Sequence, residues 1–190
     1  MSMFPFPSVE NLILWACSAI VLLTIVISRQ SIRHHRHRRK QQSARRVIKQ
    51  IKKMPTFPKK ICYLRKIDPF VFEELLLHAF EDVGFEIIRN PKYTGDGGID
   101  GRFSVDGRRF LIQAKRYSSW VSTAHIEQLH KQAIQENCLA VFCHTGKTRK
   151  KALDIYRSNN RLMVISGEAL ISLVEGDTRL ADRLRTFAGS

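Results

Sequence analysis

Blocks of apolar and polar positions predict one α/β domain over residues 61–176. Asp68 before Pro69 is typical of a helix start, and the helix it opens is expected to end before Gly84. The pattern after Gly84 predicts strands over 85–89, 99–105 and 108–115, a helix over 122–135, a strand over 138–143, a helix over 148–158, a strand over 162–166 and a short helix from Gly167. The order α-β-β-β-α-β-α-β predicts a mixed central sheet flanked by helices. Residues 177–190 are expected to form a tail.

The two strands around Asp106-Gly107 bring polar side chains together. This dipeptide is typical of a two-residue hairpin turn, which makes Val105 and Arg108 a pair. In that register Asp100 lies opposite Gln113 on one face of the hairpin, and Lys115 lies diagonally across from Asp100. A carboxylate, an amide and an amine are therefore expected at one place.

The first helix carries two adjacent glutamates that a helical wheel separates. Glu73 falls inside the apolar arc, on the side where the polar face of the hairpin would be met, whereas Glu74 falls with His78 on the side expected to face solvent. A carboxylate on the core side of a helix needs a cation, a metal or a hydrogen-bond network. We expect Glu73 to complete the site, with a structural pairing to Arg116 or a backbone amide as the alternative.

The N-terminal part has a different pattern. The uncharged run LILWACSAIVLLTIVIS over 12–28 is close to the lower limit of roughly 17–25 residues for crossing a bilayer. Residues 29–60 then contain 13 Lys or Arg and no acid, a charge pattern typical of the cytoplasmic side of a membrane segment. We therefore predict an N-terminal segment with one transmembrane helix over 1–28 and a basic juxtamembrane linker over 29–60. A buried core helix is the alternative for 12–28.

This topology predicts a single-pass protein of the inner, cytoplasmic membrane, with the α/β domain in the cytoplasm. The basic linker is expected to contact anionic lipid, and capture of a DNA backbone is a further use of it.

The composition of the chain is that of a folded protein, and its positive charge is unevenly distributed. The chain of 190 residues is 44% hydrophobic, which excludes wholesale disorder, and its four cysteines form no Cys-x-x-Cys pair. The net charge of +15 would by itself indicate a nucleic-acid partner, but residues 61–190 have a net charge of only +3. The excess of positive charge therefore describes the basic linker rather than the α/β domain.

The converging Asp, Gln and Lys are the groups that nucleases of the PD-(D/E)XK type use. Oxygen ligands hold one or two Mg²⁺ ions that activate water, and a Lys beside the metal stabilises developing charge or helps to deprotonate the water. Taken singly, each residue has an alternative: Asp100 as a plain hairpin residue, Gln113 as a cross-strand partner and Lys115 as a surface lysine.

Several motifs together resemble the Mrr-like restriction endonucleases, a Gln-x-Lys branch of that superfamily, over about residues 67–175. They are DPFVFEELLLHAFEDVGFEII, TGDGGIDG, FLIQAKRYS, LAVFCHTG and ISGEAL. The resemblance implies a restriction-endonuclease-like fold and cleavage of DNA with Mg²⁺, or Mn²⁺ in its place. The roles it implies are metal binding for Asp100, Gln113 and Glu73, catalysis for Asp100, Gln113 and Lys115, and support of the site for Asp96.

Asp96 has turn chemistry as its alternative, since glycines surround it. The cations Lys147, Arg149 and Lys150 are candidate DNA contacts. His125 and His130 either flank the site or lie on an exposed helix face.

The sequence therefore predicts a membrane-anchored, Mg²⁺-dependent DNA endonuclease. The alternative is a non-catalytic membrane tether that binds DNA or a DNA-processing complex. The expected partners are DNA, membrane lipid and a second copy of the chain in a homodimer.

Overall fold

The computed structural model describes residues 9–90, 98–150, 152, 154 and 160–189. The chain forms two compact units, over 1–39 and 40–190. The helices are α1 (Val9–Lys53), α2 (Phe57–Leu64), α3 (Pro69–Asp82), α4 (Thr123–Gln135), α5 (Gly167–Glu175) and α6 (Arg179–Gly189). The strands are β1 (Ile88–Arg89), β2 (Gly101–Val105), β3 (Arg108–Lys115), β4 (Leu139–His144) and β5 (Leu162–Ser166). The predicted helix over 148–158 lies largely outside the described residues.

The N-terminal unit contains a stretch of α1 whose described apolar side chains are exposed. Trp15 is 74% exposed, and each side chain over residues 20–23 is more than half exposed. Among the residues that the structure describes, no helix is long and apolar enough to cross a membrane. The anchor predicted over 12–28 is not supported by this finding.

The second unit is built on one five-stranded sheet in the order β1-β2-β3-β4-β5. The pairs from β1 to β3 are antiparallel, and β3, β4 and β5 are parallel. All six residues of β4 are buried, as a continuous apolar run predicts for a strand covered on both faces. The mixed α/β architecture expected from the order of elements is confirmed.

The two faces of the sheet are covered unequally. On one face, α2, α3, α5, α6 and the buried part of α1 share a core with a stack of aromatic rings. The ring of Phe103 lies 5.5 Å from that of Phe80 and 4.7 Å from that of Phe110, measured between centroids. On the other face, α4 packs over Leu111 and Phe142. Strand β3 is therefore buried on both sides where it approaches its last residue, Lys115.

The hairpin forms in the predicted register. Val105 pairs with Arg108, and the ladder continues to Gly101 opposite Ile112. Asp106 has φ of 48° and Gly107 has φ of 79°, the two left-handed residues that this tight turn requires. The hairpin thus fixes which side chains of β2 and β3 share a face.

Part of the segment predicted as a basic linker over 29–60 belongs to the core. Four apolar residues of α1, at spacings of three and four, are buried: Ala44, Val47, Ile48 and Ile51. This is the stripe of an amphipathic helix, which the surrounding cations obscure in the sequence. Ion pairs from Lys40 to Asp68 and from Arg45 to Asp82 join this helix to α3.

The end of the chain also differs from the expected tail. Helix α6 buries Leu180, Ala181, Leu184 and Ala188 in the larger core. The sequence pattern does not predict this helix, because only a few apolar residues lie among the charged residues of this segment. Their helical spacing places these four side chains on one side of a helix, and that side packs into the core on one face of the sheet.

The wheel prediction for α3 is wrong for Glu74 and His78. Both are buried, and Glu74 is only 1% exposed. Its Oε2 accepts from Nε of Arg89 at 3.3 Å, and Arg89 also binds Glu81 and His78. Because α3 packs against both β3 and α5, it also buries residues that lie outside its apolar arc. Arg89, at the end of β1, supplies the positive charge that pairs with the carboxylates of Glu74 and Glu81.

We expect Arg89→Met to lower the free energy of unfolding by about 3 kcal/mol, because it removes the guanidinium that pairs with the buried Glu74 carboxylate. Urea unfolding monitored by circular dichroism measures this loss. The matched control is Arg108→Met at the exposed start of β3, which should change stability by less than about 0.5 kcal/mol. Equal losses in the two variants would contradict a structural role for the Arg89 ion pair.

Candidate active site

The predicted site residues meet where β3 and β4 end. Gln113 and Lys115 are on β3, and Lys115 pairs in register with His144, the last residue of β4. Asp100 directly precedes β2, and Glu73 lies on α3, which packs against β3. Asp96 lies outside the described residues.

Asp100 is held by two hydrogen bonds to β3. Its backbone N–H donates to the carbonyl of Ile112 at 2.8 Å, and its Oδ2 accepts from the backbone N–H of Ala114 at 2.6 Å. The ladder ends with Gly101 opposite Ile112, so the expected pairing of Asp100 directly opposite Gln113 does not form. The carboxylate instead binds the residue between Gln113 and Lys115, which places it beside both.

Gln113 is a buried amide with a fixed orientation. It is 2% exposed, and its Nε2 donates to the carbonyl of Gly98 at 2.9 Å. Its Oε1 has no hydrogen-bond partner among the described residues. A buried acceptor without a partner carries an uncompensated desolvation cost, which a bound cation or donor would remove.

Gly98 is a site residue that sequence reasoning did not single out. Its φ is +83°, and a Cβ at this position would lie 2.7 Å from Nε2 of Gln113 and 3.7 Å from Nζ of Lys115. The amide and the ammonium therefore converge on a backbone position that has room for glycine alone. The signal was present in the TGDGGIDG motif as a run of glycines, but the sequence did not show which glycine is in contact with the site.

Glu73 shares the electrostatic environment of these groups. Burial raises the pKa of its carboxyl to about 8, the negative charge of Asp100 also raises it, and the Lys115 ammonium opposes both effects. A carboxyl group whose pKa is raised by burial and by a neighbouring carboxylate is typical of a site that binds a cation. The expectation that Glu73 points towards the hairpin residues agrees with this coupling.

The oxygen-rich donor set fits a hard divalent cation. Two carboxylates, from Asp100 and Glu73, and the unpartnered amide oxygen of Gln113 are ligand types that Mg²⁺ prefers. Among the described residues, no three His, Cys, Asp or Glu side chains form a group that could hold a metal ion. The candidate set therefore depends on the amide oxygen as its third ligand.

A second group of side chains adjoins Lys115. The hydroxyl of Tyr117 is hydrogen-bonded to Nδ1 of His125, and burial together with the Lys115 charge lowers the pKa of His125. Thr145 fixes this loop, because its Oγ1 donates to the carbonyl of Tyr117 at 2.8 Å. Of the two open interpretations for His125, the structure favours the one in which it flanks the site.

The candidate DNA contacts lie in the loop after β4. The Lys147 and Arg149 side chains approach the ring of Trp120, and Lys150 is exposed. The sequence pattern gave no indication that Trp120 lies with these cations, since the two segments are far apart in the chain.

Comparison with known proteins agrees with this geometry. Residues 64–174, more than half of the chain, match the family model Mrr_cat, described as restriction endonuclease. The type IV methyl-directed restriction enzyme EcoKMrr of Escherichia coli strain K12 is 28% identical over 130 residues, which are 64% of this chain and 43% of that enzyme. The chain thus spans less than half the length of this curated relative.

A solved structure of MspJI restriction endonuclease in complex with a 27-mer oligonucleotide is also similar. It is 21% identical, covers 63% of this chain and 32% of that one, and superposes with a TM-score of 0.42.

The matched residues 64–174 hold the mixed sheet, Asp100 and the Gln113-x-Lys115 strand end, and the family model that they match is that of a restriction endonuclease. The chain belongs to the Mrr_cat restriction endonuclease family. This confirms the family resemblance that the sequence motifs indicated.

We expect Gly98→Ala to destabilise the protein more than Gly107→Ala. Both glycines have φ near +80°, so both variants should lose roughly 1–2 kcal/mol from backbone strain. Only the methyl group at 98 meets a buried side chain, the Gln113 amide, which adds about 1–3 kcal/mol. Guanidinium unfolding of the two variants measures the difference, and losses of equal size would show that Gly98 does not pack against the site.

Proposed function

We propose that the chain is a metal-dependent DNA endonuclease that hydrolyses phosphodiester bonds with Asp100, Gln113 and Lys115. The observation that carries this proposal is the convergence of the Gln113 amide and the Lys115 ammonium on Gly98. The coupling of Glu73 to Asp100 and Lys115 adds a second carboxylate to the same place. Membership of a restriction endonuclease family supports DNA as the substrate.

The proposed metal is Mg²⁺, with Mn²⁺ as the other ion that suits these ligands. Asp100, Glu73 and Oε1 of Gln113 would hold it. When bound, such an ion activates a water molecule and neutralises charge on the phosphate that is attacked. The amide of Gln113 contributes an oxygen without a third negative charge, so the site repels the DNA phosphates less than three carboxylates would.

Each protein group has a separate task in this proposal. The backbone N–H of Ala114 holds the Asp100 carboxylate, and the carbonyl of Gly98 holds the Gln113 amide, so neither ligand needs to reorganise. The Lys115 ammonium stabilises negative charge that develops on the phosphate oxygens or takes part in removing a proton from water. Support of the site by Asp96 and DNA contacts by Lys147, Arg149 and Lys150 are further parts of the proposal.

We expect the full-length chain to nick or cut plasmid DNA in the presence of Mg²⁺. Asp100→Ala and Lys115→Ala should each lower the rate by at least about 100-fold, since each removes a charged group that acts on the reacting phosphate or its metal. Gel electrophoresis of supercoiled plasmid over time measures the rates. EDTA should abolish cleavage by the unaltered chain.

Glu73→Gln tests the second carboxylate of the proposed metal site. It should lower the apparent Mg²⁺ affinity by about 10- to 100-fold, so that high Mg²⁺ restores part of the rate. The exposed Glu86 is the matched control, and Glu86→Gln should cut as the unaltered chain does. Full activity in EDTA or in Lys115→Ala would overturn the mechanism, and DNA binding without any cleavage would favour the non-catalytic tether.

We also propose that the N-terminal unit attaches the chain to the cytoplasmic membrane in a single pass. The support is the uncharged run over 12–28, the exposure of its described apolar side chains, and the 13 cations without an acid that follow it. The domain would then lie in the cytoplasm with its basic segment near anionic lipid. Formation of a homodimer stays a prediction.

We expect the chain to sediment with membranes and to resist a high-salt, alkaline wash. Ile20→Arg should release it, since a central arginine disfavours insertion by roughly 2.5–3.5 kcal/mol. Immunoblots of the membrane and soluble fractions measure both. Release of the unaltered chain by salt alone would show that only the basic residues attach it.

A further inference from the structure

An exposed tryptophan is flanked by two cations beside the proposed active site. Trp120 is 46% exposed. The Arg149 guanidinium lies 4.9 Å from the centre of the Trp120 ring, and Nζ of Lys147 lies 5.8 Å from it. We call Trp120, Lys147 and Arg149 the Trp120 surface.

Backbone contacts hold the Trp120 surface in place. Trp120 and Lys147 form a parallel bridge between the two loops. The N–H of Val121 donates to the carbonyl of Lys147 at 3.0 Å, and the N–H of Lys147 donates to the carbonyl of Ser119 at 2.8 Å. The indole and the cations are therefore presented together rather than on independent loops.

The loops can approach this closely because residue 146 is glycine. A Cβ at Gly146 would lie 2.8 Å from the side chain of Tyr117 and 2.9 Å from the carbonyl of Ser119. Any larger residue would push the loop that carries Lys147 away from the loop that carries Trp120. The local packing thus preserves an arrangement that exposes an aromatic ring.

The chain connects this surface directly to the proposed site. Lys115 is the last residue of β3 and pairs with His144, the last residue of β4. The loop that carries Trp120 and the loop that carries Lys147 therefore leave the sheet at the same end of these two strands. Trp120 follows Lys115 by five residues, and Lys147 follows His144 by three. A DNA strand bound at Lys115 would therefore pass close to the Trp120 surface.

The chemistry of the three side chains selects a nucleotide. An exposed aromatic ring stacks with a nucleobase, and neighbouring cations bind the phosphates on either side of that base. An intact duplex hides the faces of its bases, so a ring can stack only on a base that has left the helix or belongs to a single strand. An acidic peptide would satisfy the cations and leave the ring exposed.

We propose that the Trp120 surface binds an unstacked nucleotide of DNA, next to the bond that the proposed active site cuts. The position relative to the cut rests on the proposed function, whereas the binding itself does not. Trp120 stacks on the base, and Lys147 and Arg149 neutralise the adjoining phosphates.

Binding is tested with the full-length chain in EDTA, so that no cleavage takes place. Trp15 and Trp120 are the two tryptophans of the chain, and Trp15→Phe therefore leaves Trp120 as the reporter. An oligothymidylate of about 12 nucleotides, a length within single-strand site sizes, should quench its fluorescence to saturation. A blunt duplex of the same length should quench it much less.

Affinity is then measured by anisotropy of the labelled oligothymidylate. Trp120→Leu should bind about tenfold more weakly, whereas Trp120→Phe should keep most of the affinity because it keeps a ring. Arg149→Ala should also weaken binding and flatten its salt dependence. The matched controls are Ile134→Ala, an exposed apolar residue on α4, and Arg108→Ala, an exposed cation on the hairpin.

Unchanged affinity in Trp120→Leu, or equal quenching by the duplex, would overturn the inference. If the chain cuts plasmid DNA and Trp120→Leu binds normally, the proposed function stands and the surface assignment falls. If oligothymidylate binding depends on Trp120 but plasmid DNA is never cut, the surface assignment stands and the endonuclease proposal falls.

Discussion

The backbone N–H of Ala114 donates a hydrogen bond of 2.6 Å to the carboxylate of Asp100. Ala114 lies in β3 between Gln113 and Lys115, and Asp100 stands where the β2 ladder has already ended. The side chain thus occupies the place of the next backbone partner and satisfies a buried donor. Because the bond is charge-assisted, it holds the carboxylate firmly beside Gln113 and Lys115.

The same edge of the sheet keeps two polar groups in costly surroundings. The Oε1 of Gln113 is buried without a partner among the described residues, and burial raises the pKa of Glu73 to about 8. Neither arrangement stabilises the fold. The aromatic stack of Phe80, Phe103 and Phe110 and the helices over it hold the strand ends in position regardless. Polar groups that are buried at a cost in stability and gathered at one place are typical of a functional site.

The adjacent glutamates of α3 show how the rest of the domain aims one side chain into the site. Consecutive residues of a helix point about 100° apart, so a fixed direction for Glu74 also fixes that of Glu73. Arg89, on the strand that pairs with β2, binds the buried carboxylate of Glu74. The ion pair therefore restrains the rotation of α3, the helix that also carries Glu73, whose pKa the charges of Asp100 and Lys115 affect.

The sequence by itself determined the local elements and the choice of candidate site residues. Asp68-Pro69 begins α3, Asp106-Gly107 sets the hairpin register, and Gln113 and Lys115 follow from strand alternation, because each depends on a few neighbouring residues. Only the tertiary structure decided the burial of Glu74, the core role of Ala44 and Ile51 within a basic segment, and the contact of Gly98 with Gln113. Arg89 beside Glu74, α3 beside α1, and Trp120 beside Lys147 are contacts between distant parts of the chain. Contacts between residues so far apart in the chain leave no periodic signal in the sequence. They depend on which surfaces come together when the helices and strands pack.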